Sequence, residues 1–202
     1  MMDGIIKYNF DFQQSSPLKE SQYRYIEELR VKLYALGLIG VANGIGYGNI
    51  SQRVDRDSFV ITGTQTGHIE NLNAKHYSLI EEYNDKKFYL KSSGAIKPSS
   101  EALTHGTIYN LSGEIGAVIH IHSKKLWDFM LDRNYLKTAV VEYGSIDMID
   151  EVNRIFSDID PLSNPKFVMA GHEEGVMVFA KDLSQAEVIL LNILRDFIKS
   201  EN

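Results

Sequence analysis

Residues 117–123 read Ala-Val-Ile-His-Ile-His-Ser, an apolar and β-branched run interrupted by two histidines. Such a composition predicts a strand over residues 117–122. Side chains two apart in a strand share a face, with Cα atoms roughly 6.7 Å apart, so His120 and His122 can reach one metal ion while Ile121 points into the core. The spacing alone leaves two interpretations open, a metal site or two polar residues on a solvated face, because tetrahedral sites need further ligands.

A second polar motif, Lys97-Pro98-Ser99-Ser100-Glu101, opens a predicted helix over residues 99–110. Hydroxyls and free amides at a helix N-terminus bind anions, because the helix dipole and the unpaired N–H groups both favour negative charge. Glu101 then lies in the first turn and faces the same way. The alternative interpretation is ordinary capping by serine, with Glu101 placed favourably beside the dipole.

Three loops could supply further ligands. Gly171-His172-Glu173-Glu174-Gly175 separates short predicted strands at 167–169 and 176–179, and is either a ligand source or a polar hairpin loop. Gly48-Asn49-Ile50-Ser51 and Thr-Gly-Thr-Gln-Thr-Gly at 62–67 offer amides and hydroxyls suited to phosphate. Neither is a Walker loop or a Rossmann fingerprint, since the required lysine or glycine spacing is missing.

Helical and strand patterns mix along the whole chain, which predicts a single α/β domain over residues 1–202. Each remaining element rests on an apolar repeat or a capping residue. The predicted helices are 17–36 (capped by Ser16, ended by Gly37), 74–83 (capped by Asn73), 123–132, 146–156 (capped by Ser145) and 183–198 (capped by Asp182, with the apolar stripe Val188, Leu191, Ile193, Leu194 and Ile198). Further strands are predicted at 58–62 and 87–90, and a glycine-rich loop at 42–49.

Composition narrows the function classes. The chain has 21 basic and 27 acidic residues and a formal net charge of −6, so nothing in its charge favours nucleic acid or an anionic membrane. It contains no cysteine, which excludes disulfides and thiolate metal sites. The first 14 residues lack the basic start and apolar run of a signal peptide, and no segment is apolar enough to span a membrane. We therefore expect a soluble, cytoplasmic protein.

The order of these motifs resembles the class II aldolase/adducin head family, and in particular fuculose-phosphate-aldolase-like proteins. The resemblance extends from about Leu29 to Ile198. Pro-Ser-Ser-Glu followed by His-x-His is its most specific part. The matching elements are Gly48-Asn49-Ile50-Ser51, Ile61-Thr62-Gly63-Thr64, Lys97-Pro98-Ser99-Ser100-Glu101, His105, Tyr109, His120-Ile121-His122-Ser123 and the late His172 loop.

The resemblance implies a three-layer α/β/α fold around a mixed, largely antiparallel sheet, and a homotetramer with active sites between subunits. It also implies a metal-dependent lyase of the aldolase type, acting on a small hydroxy-carbonyl compound such as a sugar phosphate through a metal-stabilised enediolate. The residues carried over are His120, His122 and His172 as ligands of zinc or a similar divalent ion, Glu101 as general acid/base, and Asn49, Thr64, Ser99 and Ser100 as phosphate ligands.

The chain departs from that family at three places. Two glutamates separate His172 from Gly175, so Glu174 is the alternative third ligand. The loop at 62–67 is longer than usual, so Thr64 and Thr66 compete for the phosphate. The segment after His122 is short, and neither Tyr135 nor Tyr143 is assigned as the catalytic tyrosine.

The alternative functions are a dehydratase of the methylthioribulose-phosphate type and a non-catalytic module like the adducin head, while Glu101 argues against an epimerase.

Overall fold

The structure is a computed structural model and describes residues 6–201. Its strands are β1 (Asn9–Gln14), β2 (Gly40–Ala42), β3 (Ile45–Tyr47), β4 (Asn49–Asp55), β5 (Ser58–Thr62), β6 (Tyr77–Asn84), β7 (Tyr89–Gly94), β8 (Ala117–His122), β9 (Lys166–Val168) and β10 (Gly175–Ala180). Its α-helices are α1 (Glu20–Ala35), α2 (Ala102–Leu111), α3 (Lys124–Leu131), α4 (Ile146–Ile155) and α5 (Leu183–Ser200), and a short 3-10 helix covers Ala74–His76.

Eight of the strands form one sheet in the order β1-β7-β6-β5-β4-β8-β10-β9, and β2 and β3 form a separate hairpin. Only β1 and β7 pair in parallel, and every other neighbouring pair in the sheet is antiparallel. The prediction of a mixed, largely antiparallel sheet is thus confirmed. Strand β8, which carries the two histidines, lies between β4 and β10.

Helices cover both faces of the sheet. Helices α1, α3 and α5 pack on one face against Ile119 and Ile121 of β8, and α2 and α4 pack on the other face against Val118. The alternation along β8 follows from the two-residue period of a strand. The predicted α/β/α arrangement is therefore present, and His120 and His122 lie on the face that α2 and α4 cover.

Several predicted elements agree with the structure to the residue. Strands β5 and β8 have the predicted bounds, α4 and α5 begin after the expected caps, and α3 begins at Lys124, one residue after its predicted start. The side chains of Ser123, Ser145 and Asp182 each accept a hydrogen bond from a backbone N–H of the first helical turn. These caps are local interactions, which is why the sequence predicts them well.

The predicted helix over 74–83 was wrong. Asn73 does cap a helical turn, but the turn ends at His76 and residues from Tyr77 onward form strand β6. This strand is paired on both sides, with β5 and with β7. Pairing with two neighbours satisfies the backbone and buries Tyr77 and Ile80, and it outweighs a weak helical pattern.

The glycine-rich loop predicted at 42–49 contains the β2–β3 hairpin and the start of β4. Its turn is Asn43-Gly44, with φ of 53° and 79°, as the two central residues of a type I′ turn require. Strands β1 and β4 were also missed.

Two helix predictions need correction. Helix α1 begins at Glu20 rather than residue 17, because Ser15 still donates its N–H to Gly94 and keeps the chain extended along β7. On α5 the buried residues are Leu183, Ala186, Leu190 and Ile193, while three members of the predicted stripe are largely exposed: Val188 (56%), Leu191 (45%) and Ile198 (57%). Of the predicted stripe, Ile193 is buried and Leu194 is partly buried against the same cluster, and the buried repeat also runs through the small residue Ala186.

None of the helices in residues 6–201 combines the length and the apolar character needed to cross a membrane. The predicted domain boundaries, 1–202, include residues 1–5 and 202, which lie outside the described part. That boundary prediction stays a prediction.

Candidate metal centre and cleft

Three histidines converge on one point at the end of β8. The Nε2 atom of His122 lies 3.1 Å from Nε2 of His120 and 3.0 Å from Nε2 of His172. Ligand nitrogens bound at 2.0–2.1 Å to a tetrahedral ion are separated by about 3.3 Å, so this spacing suits a zinc-sized cation. Within the described residues, these three side chains are the one His/Asp/Glu group that offers such a convergence. The donor set therefore fits a divalent metal ion.

His172 reaches the pair because its loop makes a tight turn. Its N–H bonds to the carbonyl of Met169, and its own carbonyl accepts from the N–H of Gly175. Between them Glu174 has a φ of 70°, which closes the turn and leaves Glu173 exposed. The structure brings His172 rather than Glu174 to the histidine pair, while Glu174 lines the cleft beside it.

Gly175 makes room for this turn. It lies opposite His122 in the register of β8 and β10. A Cβ at position 175 would stand 2.8 Å from Cδ2 of His172 and 3.2 Å from Cε1 of His120. A side chain here would therefore displace the imidazole of His172.

The buried environment keeps His120 and His122 neutral. Nδ1 of His120 lies 3.2 Å from the carbonyl of Val176, which places the proton on Nδ1 and leaves the lone pair on Nε2. Burial lowers the pKa of His120 to about 4. Burial also lowers the pKa of His122, and its histidine neighbours lower it further. Neutral imidazoles can ligate a metal, whereas imidazolium cannot.

Glu101 faces the histidines from the start of α2. It is 4% exposed, and its Oε2 lies 3.0 Å from Nε2 of His120, while Oε1 is 3.9 Å from Nε2 of His172. With the His120 proton on Nδ1, the first contact joins two acceptor atoms. Such a pair is stable only with a proton or a cation between them, which is a second sign that the site fits a metal.

Asn49 holds the carboxylate in place. Its Nδ2 donates to Oε2 of Glu101 at 2.9 Å. Asn49 opens β4 and is paired directly with His120, so both side chains lie on the same face of the sheet. The sheet register thus connects two residues that are 71 positions apart in the sequence.

A solvent-open cleft with about 700 Å³ of empty space lies over the histidines. The cleft brings together seven of the eight predicted site residues, while His120 lies beneath them, fully buried. Its walls include Asn49, Thr64, Ser99, Ser100, Glu101, His122 and His172.

The structure distinguishes Thr64 from Thr66, the two threonines that the sequence offered as phosphate ligands. Thr66 is buried and its Oγ1 donates to the carbonyl of Gly63 at 2.9 Å, so its hydroxyl is used within the loop. Thr64 lines the same cleft, and its N–H donates to the carbonyl of Lys97. This arrangement favours Thr64 as the threonine that meets a substrate.

Two tyrosines of the cleft were not assigned from the sequence. Tyr47 stacks on His122 with ring centroids 5.1 Å apart, and Tyr143 packs on His172 at 4.8 Å. Tyr135 packs instead against the hydrophobic cluster of α1, α3 and α5. The turn signal Asn43-Gly44 could have indicated the hairpin that carries Tyr47, but no local signal indicates Tyr143.

His105 does not line the cleft. It is fully buried, with Nδ1 2.7 Å from Oγ of Ser51, whose hydroxyl also lies 2.8 Å from that of Tyr109. Burial lowers the pKa of His105 well below its usual value. This histidine, like Tyr109, serves packing beneath the site.

Comparisons with known proteins agree with this geometry. A sequence model of the family described as "Class II Aldolase and Adducin N-terminal domain" matches residues 32–193. A search of curated proteins found no match.

Solved structures with the same fold include an L-fuculose 1-phosphate aldolase, with a TM-score of 0.68 and 18% identity over 91% of this chain and 85% of that one. A sugar-phosphate aldolase from Thermotoga maritima has a TM-score of 0.65 and 18% identity over 89% and 94% of the respective chains. An L-fuculose-1-phosphate aldolase from Thermus thermophilus has a TM-score of 0.59 and 16% identity over 85% of each chain. At these identities the likeness shows the fold alone.

Proposed function

We propose that this chain is a metal-dependent lyase of the aldolase type, starting from the fact that it belongs to the Class II Aldolase and Adducin N-terminal domain family. Class II aldolases use a divalent metal, and the histidine triad described above can hold one. The substrate class we propose is a small hydroxy-carbonyl compound with a phosphate group. The reaction is reversible cleavage of the carbon–carbon bond beside the carbonyl.

One observation carries this proposal: a buried carboxylate stands 3.0 Å from one member of a converging histidine triad, at the floor of an open cleft. Adducin-like binding modules have no need of such a group. A buried Glu101 beside the neutral imidazoles of His120 and His122 is costly unless a cation is bound there, which supports an intact catalytic site over a silent one.

We assign the metal to His120, His122 and His172, and we propose zinc because three imidazole nitrogens suit a borderline-soft ion. When bound, the ion supplies Lewis acidity that stabilises negative charge developing on substrate oxygens. Glu101 moves the proton at its Oε atoms, and Asn49 keeps that carboxylate oriented through its Nδ2. An amide nitrogen has two hydrogens, so Asn49 can hold Glu101 and still donate to a substrate.

The phosphate end of the substrate would lie against Thr64, Ser99 and Ser100. Among residues 6–201, none of those that line the cleft is a lysine or an arginine. Anion binding there would depend on hydroxyls, on backbone amides and on the N-terminus of α2, which begins directly after Glu101. Neutral donors of this kind favour a phosphate monoester over a bulkier polyanion.

A dehydratase acting on a phosphorylated ketose would need the same metal and the same acid/base group, so products must separate the two reactions. The lyase releases an aldehyde fragment, whereas the dehydratase releases water and keeps the carbon skeleton intact.

We also propose that the protein assembles as a homotetramer and acts in the cytoplasm. Light scattering after size-exclusion chromatography tests the assembly.

The testing experiment combines elemental analysis with product assays. Wild-type protein should contain about one divalent ion per chain, and the His120→Ala/His122→Ala variant should contain none. The metal-loaded wild type is then incubated with a panel of phosphorylated ketoses, and aldehyde release is followed by trapping. Wild-type protein that stays metal-free after incubation with zinc, manganese or cobalt would sink the proposal.

A further inference from the structure

Arg30, on helix α1, is a buried cation that contacts one loop of the cleft. The residue is 1% exposed. Its guanidinium donates to three backbone carbonyls: Nη1 to Glu70 at 2.9 Å, and Nη2 to Ile69 at 2.6 Å and to Thr66 at 3.2 Å. A buried guanidinium directed at carbonyls of consecutive turns fixes their relative position, because its donors are held in a rigid planar fork.

The same helix also fixes the far end of that loop. Oε1 of Glu27 accepts from the N–H of Leu72 at 2.6 Å, and its Oε2 accepts from the hydroxyl of Tyr77 at 2.6 Å. Residues 63–72 connect β5 to the 3-10 helix before β6 and contain none of the helices or strands described above. Their position therefore depends on Glu27 and Arg30 of α1.

This loop is one wall of the cleft. Residues 63–67 line the cleft and include Thr64, the proposed phosphate ligand. Gly67 packs backbone to backbone on the β2–β3 hairpin, where a Cβ would come 2.1 Å from the carbonyl oxygen of Gly40 and 2.7 Å from Cα of Gly46. The hairpin in turn ends in Tyr47, which stacks on His122. A shift of the loop is thus transmitted to a second wall of the cleft.

We propose that Arg30 is a positioning residue that sets how tightly the cleft binds the anionic end of its substrate, without touching substrate or metal. The proposal rests on the proposed function for its anionic ligand. The hydrogen bonds of Arg30 hold the amides and hydroxyl of residues 64–67 in place before a ligand arrives, and preorganised donors bind more tightly than mobile ones. Metal binding by the histidines is separate, because Arg30 contacts none of them.

The test compares Arg30→Met and Arg30→Lys with Arg24→Met, a matched control. Arg24 lies on the same helix but is exposed, and it contacts Tyr25 and Glu28 only through surface interactions. Binding of inorganic phosphate to the zinc-loaded proteins is measured by calorimetry, and the metal content by elemental analysis. Hydrogen–deuterium exchange is measured on the same samples without phosphate.

For Arg30→Met we expect a phosphate affinity lower by about tenfold to hundredfold, as for loss of hydrogen bonds to a charged group. The metal content should stay unchanged. Exchange should speed up in residues 64–70 and in the hairpin at 40–47, with α1 itself as protected as before. Arg30→Lys should be intermediate, because an ammonium lacks the planar fork, and Arg24→Met should match the wild type.

Unchanged phosphate affinity together with unchanged exchange in residues 64–70 would overturn the proposal. Faster exchange throughout the chain would also overturn it, since Arg30 would then serve general stability. If Arg30→Met fails to fold, Arg30→Lys decides by the same two readouts. If the wild type binds metal but no phosphate, the phosphate part of the proposed function fails, while the exchange of residues 64–70 still decides whether Arg30 positions the loop.

Discussion

Glu101 is the residue on which the proposed proton transfer depends. It precedes α2 with φ of −100° and ψ of 7°, a sparsely populated backbone region in which many active-site residues are found. Its carboxylate makes no capping hydrogen bond to the helix and instead faces Asn49 and His120. The alternative that the sequence left open was capping by serine, and Oγ of Ser99 does accept from the N–H of Glu101 at 3.3 Å, while the Glu101 carboxylate itself faces the histidines.

We expect Glu101→Gln to lower the turnover number by about 10²- to 10⁴-fold, the usual contribution of a general acid or base. The amide keeps the shape of the side chain and can still accept from Asn49, so about one metal ion per chain should remain bound. Steady-state rates and elemental analysis check both parts. Glu173→Gln, which changes an exposed glutamate of the His172 loop, is the control, and a Glu101→Gln enzyme of wild-type rate would refute the assignment.

His120 makes the stability of the metal-free protein depend on pH. Its pKa is about 4 in the folded protein and 6.5 in an exposed chain, because burial disfavours the charged ring. Between these values the unfolded chain binds a proton that the folded one does not. The free energy of unfolding should therefore fall as the pH drops from about 6.5 to about 4, by up to about 3 kcal/mol for this one group.

Urea denaturation of the metal-free protein at several pH values measures this loss. His120→Asn should show a weaker pH dependence over the same window. Some dependence should persist in the variant, since burial also lowers the pKa values of His122 and His105. Identical slopes in variant and wild type would show that His120 does not carry the effect.

Among the elements, the turn between β9 and β10 depends on Gly175, which has no side chain to collide with His172. We expect Gly175→Ala to weaken metal binding by about 10- to 100-fold, as loss of a group that orients a metal ligand commonly does, because the new Cβ crowds His172. Competition with a chromophoric chelator measures the affinity. Gly113→Ala is the matched control, because a Cβ there meets no atom within 4 Å. A Gly175→Ala protein with wild-type metal affinity would show that the turn adapts.

Elements that depend on local capping residues were predicted more accurately than strands that depend on pairing with other strands. Helices α4 and α5 begin where their capping residues predict, since a cap is formed by residues three apart. Strand β6 was predicted as a helix from a weak apolar pattern, whereas its backbone pairs with β5 on one side and with β7 on the other. Propensity is a weak guide wherever tertiary pairing is available.

At the level of the whole molecule, the sheet places the candidate metal centre between its two helical layers. Strand β8 is paired on both sides, and the histidines lie at the end of it that faces the cleft. A ligand that binds the folded chain and not the unfolded one stabilises the fold by mass action. The metal should therefore contribute to the stability of the entire molecule.

Removing the metal with a chelator should lower the midpoint of thermal unfolding by about 10 °C, if free metal had been present at about 1,000 times its dissociation constant. Differential scanning calorimetry checks this. The His120→Ala/His122→Ala variant should show no change with chelator. An unchanged midpoint in the wild type would mean that the histidines hold no ion under these conditions.

The sequence by itself determined the strand at 117–122, the common face of His120 and His122, and the helix caps, because each depends on residues within one turn or one strand. It also indicated all eight site residues, through the order of their motifs. The roles of these residues stay predictions until the experiments above are done.

Only the tertiary structure decided which groups meet. It brought His172 rather than Glu174 to the pair, used the hydroxyl of Thr66 within its own loop, and placed Tyr143 against His172. It also buried Arg30 against carbonyls 36 to 40 positions away. Contacts over such separations depend on sheet order and loop closure, and a local sequence pattern contains no information about either.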